Sequence, residues 1–155
     1  YEWVPFTTGK KIMICPPSNK VMNLWGQPDP ETWTEQVIEE LKQYTDRPIE
    51  VRMKPTRSER VSNKSIEAAL AEDVHCLITY NSIAATEALL NGKPAIALGP
   101  NAASAICNSS LSEVENLNIL DKATMHRFAC HLSYCQFIED EMRDGTAWSI
   151  INESY

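Results

Sequence analysis

Apolar positions fall in short unbroken runs that alternate with stretches of helical spacing. "KIMIC" (11–15) is continuous and stops at Pro16 and Pro17, which predicts a short buried strand. "PETWTEQVIEELKQYT" places Trp33, Val37, Ile38, Leu41 and Tyr44 on one helical stripe, with Pro30 and Glu31 suited to a first turn. "PIEVRM" alternates Ile49, Val51 and Met53 and predicts a second strand. "SIEAALAED" reads as a short helix, "HCLIT" as a third strand, "SIAATEALL" as a helix and "PAIAL" as a fourth strand. Gly92 follows that helix where a C-terminal cap belongs.

After Pro100 the pattern weakens. "NAASAICNSSLSEVENLN" is small and polar and predicts a loop with one helical turn. "ATMHRFACHLSYCQF" carries Met125, Phe128, Ala129, Leu132 and Phe137 as a helical stripe. "EDEMRDGTAWSIINESY" predicts a closing helix weakened by Gly145. There is no internal repeat and no linker, so residues 1–155 are expected to form a single Rossmann-like domain. Strands that are apolar throughout and alternate with helices point to a mainly parallel sheet with helices on both faces, a three-layer α/β fold. Ligands of such sheets bind beyond the carboxyl ends of the strands. The loops after Cys15, Met53, Thr79 and Leu98 are therefore the places for chemistry.

Composition narrows the partners. The chain has 155 residues, enough for one full core, and is 43% hydrophobic and 23% charged. A formal net charge of −7 argues against general nucleic-acid or membrane-surface binding. No apolar run reaches the length of a membrane span, and no signal-peptide pattern opens the sequence. Of the five cysteines, Cys15 and Cys76 lie in strand-like runs and no CxxC pair occurs. That is the usage of reduced thiols, and a cytoplasmic location is the expectation.

The turn "TYNS" before the third helix-like run carries the strongest signal. Asn81 and Ser82 are good N-caps, and Ile83, Ala84 and Ala85 would leave backbone N–H groups open to an anion. The turn either seats a phosphate or is simply capped by its own side chains. Glu87 then falls on the side of Ile83 and Leu90 with no cation in helical reach. Such a carboxylate needs hydrogen-bond donors, a distant cation or water. A ribose diol would supply two donors. The loop after the second strand is basic: Arg52, Lys54, Arg57, Arg60 and Lys64 stand against Glu59. It suits a diphosphate, or is a solvated loop ahead of a helix.

Other signals are weaker. Ser18, with Asn19 and Lys20, follows the first strand and could touch a ligand or merely end the strand. Asn101 and Ser104 sit beside Gly99 as a ligand-facing turn or a plain one. His126, Cys130, His131 and Cys135 have helical i, i+4 spacing but span more than one face, so a core helix is expected rather than a metal site. His75 is expected to pack or cap. GxSxG, P-loop, HExxH and GxGxxG patterns do not occur.

"TYNSIAATEALLNGKPAIALG" resembles the donor-binding half of the two-Rossmann-domain glycosyltransferases of the GT-B fold. "VRMKPTR" resembles the Lys/His-Pro loop of capsule- and teichoic-acid-type transferases. The whole chain is similar to glycosyltransferase-like proteins encoded by some bacteriophages. The resemblance implies a nucleoside diphosphate sugar as substrate, with no tightly bound cofactor and no metal. It implies that Thr79, Asn81, Ser82 and Ala84 hold the diphosphate, that Glu87 takes the ribose hydroxyls, and that Lys54 and Arg57 lie near phosphate. Ser18 and Asn101 would be further donor contacts. Enzymes of this kind carry a second, N-terminal domain that binds the acceptor. Too few residues precede the first strand here to build it, and no glycine-rich loop follows that strand. The chain is expected to be one half of an enzyme, or a descendant that has lost or borrowed the other half, with a second Rossmann-like domain or a homo-oligomer partner as the expected protein partner. Trp3, Trp25 and Trp148 would cover the docking face, or pack as ordinary core and rim. The acceptor and the catalytic base are not assigned. The alternative is a non-catalytic Rossmann-like binding or assembly module, virion-associated or host-interacting.

Overall fold

The computed structural model describes residues 2–54 and 64–153. Its centre is four strands: β1 (Lys11–Ile14), β2 (Ile49–Val51), β3 (Val74–Thr79) and β4 (Ala95–Ala97). They form one sheet in the order β2-β1-β3-β4, and every neighbouring pair is parallel. Ile12 stands opposite Ile49, Met13 opposite Leu77, and Ile78 opposite Ile96. All six residues of β3 are buried. A central parallel strand needs that, because helices cover both its faces.

The two faces are distinct in composition. Met13, Leu77, Ala95 and Ala97 pack against Leu70 of α3 (Ile66–Leu70), Ala85, Ala88 and Leu89 of α4 (Ala84–Leu90), and Met125 and Phe128 of α5 (Lys122–Tyr134). Ile12, Ile14, Cys76, Ile78 and Ile96 pack against Met22 of α1 (Asn19–Leu24) and Trp33, Val37 and Leu41 of α2 (Pro30–Leu41). The result is a three-layer α/β, Rossmann-like fold, as the alternation of runs implies. The small residues of α4 let it lie close on the sheet; the large ones of α2 fill the opposite layer.

One irregularity sets the facing of β3. Lys11 pairs with Val74 but Ile12 pairs with Cys76, so His75 is the extra residue of a bulge. Its Nε2 lies 2.8 Å from the Val114 carbonyl oxygen, so His75 packs and bonds within the core. At the β4 edge, Asn108 continues the sheet for a single residue. Its N–H donates to Ala95 O at 3.0 Å and its carbonyl accepts from Ala97 N–H at 2.9 Å. The Asn108 side chain is buried and gathers the following loop through Glu113 Oε1 (3.1 Å) and Asn118 N–H (2.8 Å).

Several elements differ from the sequence expectation. The stretch after Pro16-Pro17 holds helix α1, which brings only Met22 into the core. The closing helix is two helices, α6 (Glu139–Arg143) and α7 (Thr146–Glu153), separated where Gly145 takes φ +88°. That left-handed conformation suits glycine and cannot continue a helix. α5 ends before Phe137, leaving Met125 and Phe128 as its buried residues. The expected helical turn in the loop after Pro100 is a 3-10 turn over Leu111–Glu113.

The N-terminal lead lies against the lower end of the sheet, where the strands begin. Thr7 N–H donates to Gly92 O at 2.9 Å, and Gly9 N–H donates to Val74 O at 2.9 Å. Gly92 ends α4 with φ +66°, and a Cβ there would lie 2.5 Å from Pro5 O. Both facts require glycine. Among the described residues no helix is long and apolar enough to cross a membrane.

The strand order places a crevice at the other end. The chain leaves β1 toward β2 on one side and returns to β3 on the other. The loops leaving β1 and β3 diverge at that switch point, and the space between them is where such sheets hold ligands.

Candidate functional site

A cleft of about 470 Å³ occupies that position. Cys15 and Pro16 come from the end of β1, and Arg52, Met53 and Lys54 from the end of β2. Ser82, Ile83 and Ala84 come from the turn after β3, Ile66 from α3, and Glu87 from α4. Four segments distant in sequence thus meet in one hollow. Lys54, Ser82, Ala84 and Glu87, singled out in the sequence, are brought together there.

Glu87 is half-buried on the cleft wall. Among the described residues it has no ion pair and no side-chain hydrogen bond. Burial raises its pKa above the ordinary 4.5, and the neighbouring Glu67 adds to the rise; Arg52 opposes both. A carboxylate in this position has acceptor capacity that the fold leaves unused.

Arg52 anchors the cationic side. Its backbone N–H donates to Ile14 O at 2.8 Å, extending the β1–β2 ladder. Its guanidinium donates to the Lys64 carbonyl, which ties the two ends of the basic loop together. Lys54 is exposed and has no ion pair among the described residues. Lys64 turns to Glu72 instead, which also receives Lys11, so it does not serve the cleft. Arg57 and Arg60 lie outside the described residues. Cys15 brings a thiol to the cleft, but burial pushes its pKa up to about 12, so it stays protonated and unreactive.

The other expectations divide. The amides at the start of α4 are not open: Ala84 N–H donates to Ser82 Oγ at 3.3 Å and Ala85 N–H to Ser82 O at 3.2 Å. Ser82 caps the turn, so attraction for an anion falls to Arg52 and Lys54; Ala84 contributes lining only. Thr79 is wholly buried and its hydroxyl donates to Cys15 O at 2.6 Å, so it braces the end of β1 against β3 and does not line the cleft. Asn101 forms a plain turn, its Oδ1 accepting from Ala103 N–H at 2.7 Å, and it does not line the cleft. Lys93 is buried near the lower end of the sheet, donating to Thr7 Oγ1 at 2.9 Å. Asn81 and Ser18 line a neighbouring hollow rather than the cleft itself. Trp3 packs against the α4 side of the core, whereas Trp25 and Trp148 are exposed. His126 and Cys130 pair with each other on α5, as do His131 and Cys135. Among the described residues no three metal-ligating side chains gather.

Sequence reasoning counted Arg52 among the loop cations but did not select it. The signal was present: it follows Val51 directly, at the carboxyl end of a strand. Chemically, the arrangement sets two cations and one free acceptor around a hollow of nucleotide size. It can hold a phosphate ester that also carries hydroxyl donors. No protein-family model, curated protein or solved structure matches the chain. The class that the sheet order defines is a Rossmann-like α/β domain, with a crevice at its switch point lined by Arg52 and Lys54.

Proposed function

We propose that this chain is the nucleotide-sugar-binding domain of a glycosyltransferase-like protein, taking a nucleoside diphosphate sugar as substrate. Arg52 and Lys54 neutralise the diphosphate and would stabilise it as a leaving group while the glycosyl bond breaks. Glu87 accepts from the ribose hydroxyls. Arg57, on the resemblance of its loop, belongs with the cations. An acceptor site and a general base would come from a second Rossmann-like domain or another copy. The observation that carries this reading is the meeting of an unpaired carboxylate and two cations in the crevice between β1 and β3.

Thermal shift with UDP, GDP, CDP and ADP tests it. A ligand present at 100 times its Kd should stabilise the domain by about 2.7 kcal/mol. At the same ligand concentration Lys54→Ala and Glu87→Ala should each remove about half of the shift or more while the protein remains folded. No shift with any of the four overturns the reading.

A second reading, binding without turnover, is favoured by one observation. Among the described residues the cleft is lined by a single carboxylate and no histidine. With Glu87 engaged by ribose, none of the described lining carboxylates or imidazoles is left to act as a base. Measuring sugar release from the bound nucleotide sugar by this chain separates the two: none is expected from a binding module.

A further inference from the structure

A second hollow, of about 370 Å³, adjoins the cleft across a ridge made by Lys54, Ser82 and Ile83, which line both. We propose that this hollow seats the glycosyl ring of the nucleoside diphosphate sugar, with Trp25 as its stacking face. The proposal rests on the donor-site reading above and adds where the sugar lies and what selects it.

The order of groups in the ligand fixes the assignment. Ribose stands between base and diphosphate, and the sugar lies on the far side of the diphosphate. Glu87, the ribose acceptor, lines only the first cleft. The nucleoside therefore occupies the Glu87 side. The diphosphate crosses the ridge at Lys54, and the remaining group descends toward Trp25.

The walls suit a pyranose. Val21, Leu24 and Trp25 form an apolar side, and Ser18 and Asn81 a polar one. A sugar ring offers a C–H face to an aromatic surface and hydroxyls around its edge. The Ser18 hydroxyl makes no capping bond to α1, so it is available. Asn81 Oδ1 is buried with no hydrogen-bond partner among the described residues. Rotation about its terminal torsion, which is soft, would present the amide to a ligand hydroxyl. The exposure of the apolar side chains that line this hollow is otherwise unexplained: Leu24 is 81% exposed, Ile83 68% and Trp25 46%. Core packing does not account for them, and such grouping marks a ligand surface.

Isothermal titration calorimetry on the full chain tests the proposal with paired probes: UDP against UDP-glucose, GDP against GDP-mannose, and ADP against ADP-glucose. For the pair that binds, Trp25→Ala should weaken the nucleotide sugar about fivefold and leave the free diphosphate unchanged. Trp25→Phe should recover most of the loss, and Leu24→Ala should repeat the pattern more weakly. Equal losses for both members of the pair, or no loss for either, overturn the sugar seat and leave the diphosphate site standing. Absence of binding by every diphosphate and every nucleotide sugar overturns the donor-site reading and this proposal with it.

Discussion

Replacing Glu87 by glutamine keeps the shape of the side chain and removes its charge. Because burial raises the Glu87 pKa above 4.5, the folded chain keeps that proton to higher pH than the unfolded chain. Stability then falls as pH rises between the two values, and the loss is constant above both. Glu87→Gln should match the wild type below pH 4.5 and exceed it at neutral pH. The gain should be about 1 kcal/mol or less, since solvent reaches the group. Urea unfolding at several pH values checks this. The same variant should weaken nucleoside diphosphate binding about tenfold, because an amide oxygen accepts from a diol less strongly than a carboxylate does. A carboxylate without a ligand role would show the same pH-dependent stability but no loss of binding. Lys54→Ala should cost about tenfold in affinity at low salt and less at high salt, with Tm within about 1 °C of wild type.

At the level of elements, two side-chain environments hold connections together. Gly92→Ala places a Cβ 2.5 Å from Pro5 O on a backbone with φ +66°. It should destabilise the domain by about 2 kcal/mol or more in denaturant unfolding. Asn108→Ala removes the bonds to Glu113 and Asn118 from a buried position and should cost about 2–3 kcal/mol. The strands were legible because each apolar run is closed by proline, glycine or a polar turn. α1 was not: it is only six residues long, and a single buried side chain, Met22, suffices to dock it. Gly145 signalled the break in the closing helix only as a weak point, since its φ is a property of the folded chain. That Lys54, Ser82 and Glu87 would line one cleft was legible from the rule that ligands lie at strand ends. Thr79 misled because its hydroxyl bonds to a carbonyl on another strand. The opened amides of α4 misled because Ser82 uses them itself.

For the whole molecule, charge is divided unevenly. A chain of net charge −7 presents Arg52 and Lys54 at one mouth. The surrounding acidity opposes an anionic ligand at long range, and the two cations attract it at short range. Salt screens the first before the second. Affinity for a nucleoside diphosphate should therefore change little between low and moderate ionic strength. It should fall only when the Debye length approaches contact distance, at about 1 M. Titration across that range measures the balance. Ser18 and Asn81 were singled out in the sequence, but their meeting with Trp25 in one hollow was not legible, because its walls come from α1 and the β3 turn, which meet only in the folded domain.

The lead over residues 2–10 makes the two ends of the sheet unequal in time. Thr7 and Gly9 are bonded into the same sheet base as Gly92 and Val74, so deuterium should enter their amides only when the entire domain opens. Around Ser82, two loop bonds are all that must break, and label should appear there far sooner. A ligand seated in the crevice would slow the fast end and leave the slow end as it was.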